Sequence, residues 1–225
     1  MLPTIHVIDF EGNRSHGIME YGLVTLENNR ISDIFHGNCC GDNSFGVVPW
    51  AEHSRFQKKM AHPSFGKQLN LFKKKRKCGF FCAHNATLED RLLRRYHFLS
   101  MDESGEGNRP SKDNESHHFF AKTLAERKIQ AINAPIMGRN ISWGPWIDTH
   151  KIYRKYYPMV GSYSLGKLVR HFRLEEELER LVAEHNFGER LTFHRAPYDA
   201  IATALLLQNF IDLFRVQDID FLICR

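Results

Sequence analysis

The sequence predicts an α/β protein in which a mixed five-stranded sheet carries helices on both faces. Three strand-like segments open the chain, and strand and helix patterns alternate after them. The mix of 42% hydrophobic and 25% charged residues is typical of a globular protein, and 225 residues can bury a sizeable core without disulfides. We expect one domain over residues 1–225, with a polar surface insertion at about 100–116.

The first three strands are predicted to form an antiparallel meander over residues 5–12, 18–26 and 31–36. Asn28 and Asn29 separate the second strand from the third, and asparagine tolerates the positive φ angles of a two-residue hairpin turn. The later segments are predicted, in order, as a loop at 37–49, helices near 50–60 and 64–76, a buried strand at 79–83, a helix at 87–98, the polar loop 100–116, a helix at 119–132, a strand at 142–149, and helices near 150–156, 164–172, 174–186 and 197–214.

Charge and cysteine content narrow the functional classes only slightly. The net charge of +5 permits a polyanionic partner without demanding one. No apolar run is long enough to span a bilayer and no secretory signal is visible, so we expect a cytoplasmic protein without a membrane partner. Cys78 and Cys82 are spaced more loosely than in a zinc knuckle, which favours free thiols in a reducing compartment over a metal site.

The first chemical signal is the pair of acids that ends the first strand. Asp9 and Glu11 are two residues apart, so their carboxylates point to the same face as Ile5 and Val7. An apolar strand face that ends in two acids suits a site for a hard divalent cation, Mg²⁺ or Mn²⁺. A strand end that simply reaches solvent is the alternative interpretation.

Two further segments combine a histidine with acids at the start of a helix. In the first, residues 84–86 (His-Asn-Ala) precede Glu89 and Asp90, where the helix dipole alone could also explain the acids. In the second, His194 precedes Asp199, which lies in the first turn of a predicted helix. The earlier helix has apolar residues on one side, namely Leu88, Leu92, Leu93 and Tyr96.

Together these segments resemble the three motifs of the DEDDh (DnaQ-like) 3′–5′ exonucleases, a family of the RNase H-like superfamily that includes the proofreading domains of DNA polymerases. The resemblance covers essentially the whole chain and implies an RNase H-like fold. The matching residues are Asp9 and Glu11; His84, Asn85 and Ala86; His194, Ala196, Asp199 and Ala200; and a Glu-x-Gly at Glu20 and Gly22 in the second strand. Residues 147–149 resemble the strand that precedes the helices before the third motif.

The chain departs from the family pattern at two places. Where the second motif has Asp, the ungapped register places Glu89, and Asp90 follows it. Neighbouring helical residues point about 100° apart, so only one should face the metals. We favour Glu89, because Leu88 then matches the apolar residue before the motif acid. Gly12 follows Glu11 where many relatives have Thr, which in them helps to hold the terminal ribose.

The resemblance implies two-metal hydrolysis of phosphodiester bonds from a 3′ end, with DNA favoured over RNA and nucleoside 5′-monophosphates as products. It implies that two Mg²⁺ ions, with Mn²⁺ as a substitute, bind to Asp9, Glu11, Glu89 and Asp199, and that His194 is the general base. It also implies contacts to single-stranded nucleic acid from Phe10, Gly12, His84 and Asn85.

A basic stretch adjoins the second motif. Residues 53–88 contain nine Lys or Arg and no acid, so they carry +9 and leave a net −4 for the rest of the chain. Lys73, Lys74 and Lys75 are therefore candidates to contact substrate phosphates; a solvated helix end is the alternative.

Residues 68–72 (Gln-Leu-Asn-Leu-Phe) resemble the pentapeptide that binds a sliding clamp, but an amphipathic helix that buries its apolar residues is the favoured interpretation. A DNA polymerase or clamp is thus an open partner prediction. The alternative function is a catalytically weakened nucleic-acid-binding or polymerase-assembly module of the same fold.

Overall fold

A computed structural model of the chain describes residues 2–13, 17–39, 65–103, 143–185, 187 and 191–223. Its centre is a five-stranded sheet with the strand order β3-β2-β1-β4-β5. The first three strands pair antiparallel, whereas β4 and β5 add in parallel next to β1. The strands are β1 (Ile5–Asn13), β2 (Gly17–Glu27), β3 (Arg30–Asn38), β4 (Phe80–Ala83) and β5 (Trp146–Asp148).

Helices cover both faces of this sheet. They are α1 (Phe65–Cys78), α2 (Thr87–Glu103), α3 (Thr149–Tyr156), α4 (Leu165–His171), α5 (Glu175–His185) and α6 (Ala196–Phe214), followed by a 3₁₀ turn at Ile219–Phe221. Within these described segments, no helix combines the length and the apolar character needed to cross a membrane. The predicted fold class, a mixed five-stranded sheet with an antiparallel meander and flanking helices, is confirmed.

The alternation of side chains along β1 divides the core in two. Ile5 and Val7 pack on one face with α6, which is buried over most of its length. Ile8 and Phe10 pack on the other face against α1 and α2. By the same alternation Asp9 and Glu11 lie on the α6 face, at the carboxyl end of the strand, and this places them beside the start of α6.

Two local backbone features shape the meander: the turn between β2 and β3, and an irregularity where β1 ends. Asn28 and Asn29 both have positive φ angles (51° and 60°), as the predicted two-residue turn requires. The register of β1 and β2 shifts between Glu11 and Gly12. A Cβ atom at Gly12 would lie 2.1 Å from the Gly17 carbonyl oxygen, so this irregularity excludes a side chain where many relatives have Thr.

Several predicted boundaries need correction. The strand predicted at 142–149 is only Trp146–Asp148, because Asp148 accepts a hydrogen bond from the Lys151 N–H and caps a helix that begins at Thr149. β3 continues to Asn38, inside the predicted loop 37–49, and α2 continues to Glu103, inside the predicted loop 100–116. The helices predicted at 50–60 and 119–132 and most of the polar insertion lie outside the described residues.

Candidate active site

The three sequence motifs meet at the carboxyl ends of β1 and β4. β1 supplies Asp9 and Glu11, the first turn of α2 supplies Glu89, and α6 supplies Asp199 after His194 in the preceding loop. One candidate ligand atom from each of Glu11, His194 and Asp199 lies within 4.8 Å of the other two. The charges of Glu11, Glu89 and Asp199 all act on Asp9. The structure therefore brings all five predicted catalytic residues into one cluster.

Glu89 and Asp90 have different surroundings. Glu89 is 3% exposed and lies on the buried stripe of α2 with Leu92, Leu93 and Tyr96, at the spacing i, i+3, i+4, i+7. Asp90 points elsewhere. Its Oδ2 accepts a hydrogen bond from Arg94 Nε at 2.6 Å and its Oδ1 accepts one from Trp146 Nε1 at 3.0 Å. Leu88, predicted to lie on the apolar side, is 51% exposed, so that part of the prediction is wrong.

Burial and the neighbouring carboxylates raise the pKa values of the acids in the cluster. Burial, reinforced by the charges of Asp199, Glu89 and Glu11, raises the pKa of Asp9 well above its usual range. Burial likewise raises the pKa of Glu89 to about 8 and that of Asp199 to about 7. Ionised carboxylates in such a place repel one another, so a divalent cation among them would be strongly favoured.

The donor atoms also fit a metal. Asp199 Oδ2 accepts a hydrogen bond from the His194 N–H at 3.2 Å. Asp199 Oδ1 and Glu89 Oε2 are buried and have no hydrogen-bond partner among the described residues. Buried carboxylate oxygens left without a partner are costly, and hard oxygen donors are what Mg²⁺ and Mn²⁺ prefer. The residues present therefore fit divalent metal ions.

The segment that carries His194 is held in an uncommon backbone conformation. His194 has a φ of 70°, in the left-handed region that residues other than glycine rarely adopt. Immediately after it, the Arg195 side chain and the Ala196 N–H both bond to the buried carboxylate of Glu20. Sequence reasoning noted Glu20 as part of a Glu-x-Gly pattern, but it gave no role to Glu20 or Arg195.

Asp148 is another residue whose role only the structure reveals. Its carboxylate is 3% exposed and accepts hydrogen bonds from the backbone N–H groups of Asn85, Ala86 and Lys151, each at 3.2 Å. The first two bonds fix the turn before α2, and the third caps α3. Asp148 thereby helps to set the position of the first turn of α2, which carries Glu89.

His84 and Asn85 differ in their access to the surface. His84 Nε2 lies 2.8 Å from the Tyr163 carbonyl oxygen and must donate to it, and Nδ1 lies 2.9 Å from Thr149 Oγ1. Both ring nitrogens of His84 are therefore engaged within the protein, which leaves the ring a structural link rather than a direct contact to nucleic acid. Asn85 is exposed and has a φ of 74°, so its side chain is accessible beside the site.

His84 also provides a pH-dependent prediction. Burial lowers the pKa of both His84 and His6 to about 4, below the usual 6.5. The unfolded chain therefore binds more protons between pH 6.5 and 4, so these groups stabilise the fold above pH 6.5 and lose that contribution as the pH falls to 4. We expect the stability advantage of the unmodified protein over His84→Gln to shrink by ~2 kcal/mol between pH 7.5 and pH 5, measured by urea unfolding. A constant difference would contradict this assignment.

Phe10 and Gly12, the two neighbours of Glu11, differ in their access to nucleic acid. The Phe10 side chain is 4% exposed and packs against Phe65 and Phe72 on the opposite face of the sheet, which limits any contact with nucleic acid to its backbone. Gly12 is exposed and lines a cleft of about 380 Å³ next to the carboxylates. The cleft is lined by Glu11, Gly12, Met19, Glu20, Asn38 and Arg195.

The predicted lysines lie away from this cluster. Lys75 Nζ donates to Thr25 Oγ1 at 3.4 Å, and Thr25 pairs with His6, three residues before Asp9 and thus roughly 10 Å along the strand. Thr25 and Lys75 are also on the α1 face of the sheet, opposite the carboxylates. Arg76 is a structural residue, because it donates to the carbonyl oxygens of Trp143, Gly144 and Gly79. The exposed lysines of α1 are Lys67, Lys74 and Lys77.

The clamp-like pentapeptide is part of the core. Leu69 and Phe72 are 2% and 0% exposed and pack against the α1 face of the sheet. Two of the three apolar side chains of the pentapeptide are therefore buried in the protein itself, in agreement with the favoured interpretation of an amphipathic helix.

Comparison with known proteins identifies solved structures with a similar fold. No protein-family model and no curated protein matches the chain. Among solved structures it is similar to Exonuclease X in complex with 5′ overhanging duplex DNA, at 19% identity and a TM-score of 0.54 over 97% of each chain. A 3′-exonuclease solved in 3′-end specific recognition of histone mRNA stem-loop has 15% identity and a TM-score of 0.49, over 93% of this chain and 64% of that one. Over nearly its whole length the chain therefore shares the fold of Exonuclease X.

Proposed function

We propose that this protein is a metal-dependent 3′–5′ exonuclease that removes nucleoside 5′-monophosphates from the 3′ ends of nucleic acid, with DNA preferred. The observation that carries the proposal is the convergence of Asp9, Glu11, Glu89 and Asp199 with His194 in one cluster. The likeness to Exonuclease X, a protein solved with duplex DNA, supports a nucleic-acid substrate. A single domain with a polar surface insertion is part of this proposal.

In this mechanism Asp9, Glu11, Glu89 and Asp199 would hold two Mg²⁺ or Mn²⁺ ions. Bound there, the metals would supply an activated water and charge stabilisation for the leaving oxygen. His194 is exposed beside Glu11 and Asp199, where its ring can accept the proton of the attacking water as general base. The Asp199 carboxylate and the unusual backbone at His194 fix the direction from which that ring approaches.

The direct test uses single-stranded DNA and RNA oligonucleotides labelled at either end. With Mg²⁺ or Mn²⁺ we expect 3′-labelled DNA to release labelled mononucleotide at once, whereas 5′-labelled DNA shortens in single-nucleotide steps. EDTA should abolish both reactions. If neither DNA nor RNA is hydrolysed with either metal, the exonuclease proposal fails and a non-catalytic binding module of this fold takes its place.

The identity of the second-motif acid can be tested within α2. Glu89→Gln removes a buried carboxylate from the cluster, and we expect it to lower kcat by at least about a hundredfold. Asp90→Asn is the matched control, because the Asp90 carboxylate bonds to Arg94 and Trp146, neither of which belongs to the cluster. It should keep kcat within about threefold while losing ~1 kcal/mol of stability. The reverse pattern of activities would reassign the role to Asp90.

We propose that the substrate strand behind the terminal nucleotide contacts the basic surface of α1, which includes the half-buried Lys73 and the exposed Lys74 and Lys77. Such contacts would release counterions, so they should appear in the salt dependence of binding. Lys75, tied to Thr25 and 5.1 Å from the Phe35 ring centroid, would contribute less.

For Lys74→Gln/Lys77→Gln we expect the slope of log Kd against log salt concentration to fall by about 1.4 with a 20-nucleotide strand, but not with a trinucleotide. Lys155→Gln/Lys167→Gln removes two exposed lysines from α3 and α4 and should leave the slope unchanged. Equal slopes for all three proteins on the long strand would rule out this surface.

A further inference from the structure

Glu20 is a buried carboxylate outside the predicted catalytic set. Its side chain belongs to β2, and the residue is 8% exposed. Arg195 donates to both of its oxygens, with Nε at 3.1 and 3.2 Å and Nη2 at 2.9 Å, and the Ala196 N–H donates to Oε2 at 3.0 Å. A carboxylate with this many donors is held in one orientation. Glu20 therefore ties the middle of β2 to the first residue of α6.

A second contact between β2 and the start of α6 lies two residues further along the strand. A Cβ atom at Gly22 would lie 2.3 Å from the Ala196 carbonyl oxygen, so the start of α6 rests directly on the β2 backbone. Gly22 pairs with Asp9 across the sheet. The contact between Glu20, Gly22 and Ala196 thus fixes the distance between the strand that carries Asp9 and the helix that carries Asp199.

The pair also affects the charge of the cluster. Glu20 lies directly opposite Glu11 in the ladder between β1 and β2, so the two side chains are neighbours on the same face of the sheet. Arg195 bonds to the Glu20 carboxylate and lines the same cleft as Glu11. Glu20 and Arg195 are therefore close enough for their charges to act on groups that would bind metal.

We propose that Glu20 and Arg195 are positioning residues that set the geometry and the net charge of the divalent-metal site from outside its ligand shell. This rests on the proposed function only in taking Asp9, Glu11 and Asp199 as metal ligands. Glu20 anchors the backbone at Ala196, and its negative charge favours cation binding. Arg195 holds the Glu20 carboxylate in place and limits the negative potential at the site.

The two residues should therefore affect metal binding in opposite directions. Replacing Glu20 with Gln takes one negative charge from beside the ligands but keeps a side chain of the same shape, whose amide oxygen can still accept from the Ala196 N–H. Replacing Arg195 with Gln takes away one positive charge and leaves that backbone bond in place. A pair that only stabilised the fold would weaken metal binding in both variants, in proportion to the loss of stability.

The experiment measures Mn²⁺ binding by titration calorimetry on the full chain without nucleic acid, together with the Tm of each metal-free variant. We expect Glu20→Gln to bind Mn²⁺ several-fold more weakly and Glu20→Ala about 10- to 100-fold more weakly, because the alanine also removes the backbone anchor. Arg195→Gln should bind Mn²⁺ as tightly as the unmodified protein or more tightly. Arg180→Gln, which breaks an exposed ion pair with Glu177 on α5, is the control and should not change Mn²⁺ affinity.

Equal weakening of Mn²⁺ binding in Glu20→Gln and Arg195→Gln would overturn the proposal, as would unchanged affinity in Glu20→Ala. If Arg195→Gln does not fold, Arg195→Lys keeps the positive charge and should bind Mn²⁺ within about threefold of the unmodified protein; a larger change would count against the charge argument. Because no nuclease activity is measured, a failure of the exonuclease proposal would be seen separately in the oligonucleotide digestion.

Discussion

Replacing Asp9 with alanine is expected to lower exonuclease activity by about a thousandfold or more while leaving the fold intact. The charges of Glu11, Glu89 and Asp199 all act on Asp9, so its loss removes a carboxylate with which the other three interact. Its side chain contributes no hydrogen bond on which the sheet depends among the contacts that the structure describes. The measurement is the rate of mononucleotide release from a 3′-labelled oligonucleotide with saturating Mg²⁺.

The stability of the metal-free variant provides the control for this experiment. The raised pKa of Asp9 means that the folded state holds this proton more tightly than the unfolded chain, so stability is lost as the pH rises from the usual aspartate pKa to the raised value. Asp9→Asn should therefore have a higher Tm than the unmodified protein at high pH in EDTA, even though it is inactive. Asp33→Asn, on β3, should change neither quantity. Full activity in purified Asp9→Ala would disprove the proposed mechanism.

Replacing His194 with alanine is expected to lower kcat by about 10²- to 10⁴-fold, the usual contribution of a general base. The His194 ring lies near Glu11 and Asp199, so its geometry is compatible with a metal ligand as well as with a base. The two roles predict different Mn²⁺ affinities for the variant. A base leaves metal affinity largely intact, so Mn²⁺ binding by His194→Ala should stay within about threefold of the unmodified protein.

A matched histidine variant makes that comparison interpretable. His171 is an exposed histidine at the end of α4, and His171→Ala should retain both activity and Mn²⁺ affinity. If Mn²⁺ affinity in His194→Ala falls as far as activity does, His194 is a ligand and the proton acceptor must be sought elsewhere.

Local sequence patterns were sufficient to predict most of the sheet and the face of β1 on which the two acids lie. The alternation of Ile5, Val7, Asp9 and Glu11 places both acids on one face, because successive side chains of a strand always point to opposite sides. The Asn28–Asn29 turn follows equally directly from backbone preferences. The strand predicted at 142–149 was too long, because the helix at Thr149 depends on the cap that Asp148 supplies.

Local sequence patterns did not predict contacts between residues that are distant in the sequence. Lys75 and Phe10 were candidates for nucleic-acid contacts on charge and resemblance, yet Lys75 lies on Thr25 at the distant end of the sheet and Phe10 lies in the aromatic core. Glu20 and Arg195 are 175 residues apart in sequence, and nothing in the local pattern of either residue predicts their bond.

The sequence by itself determined the fold class and, through the motif resemblance, singled out Asp9, Glu11, Asp199 and His194 as candidates, since the motifs are short runs of neighbouring residues. Only the tertiary structure decided that Glu89 rather than Asp90 faces the cluster and that Glu20 and Arg195 fasten α6 to β2. Those outcomes depend on how α2 and α6 dock on the sheet. Docking is set by the burial of whole helix faces and by close backbone approaches such as that of Gly22 to Ala196.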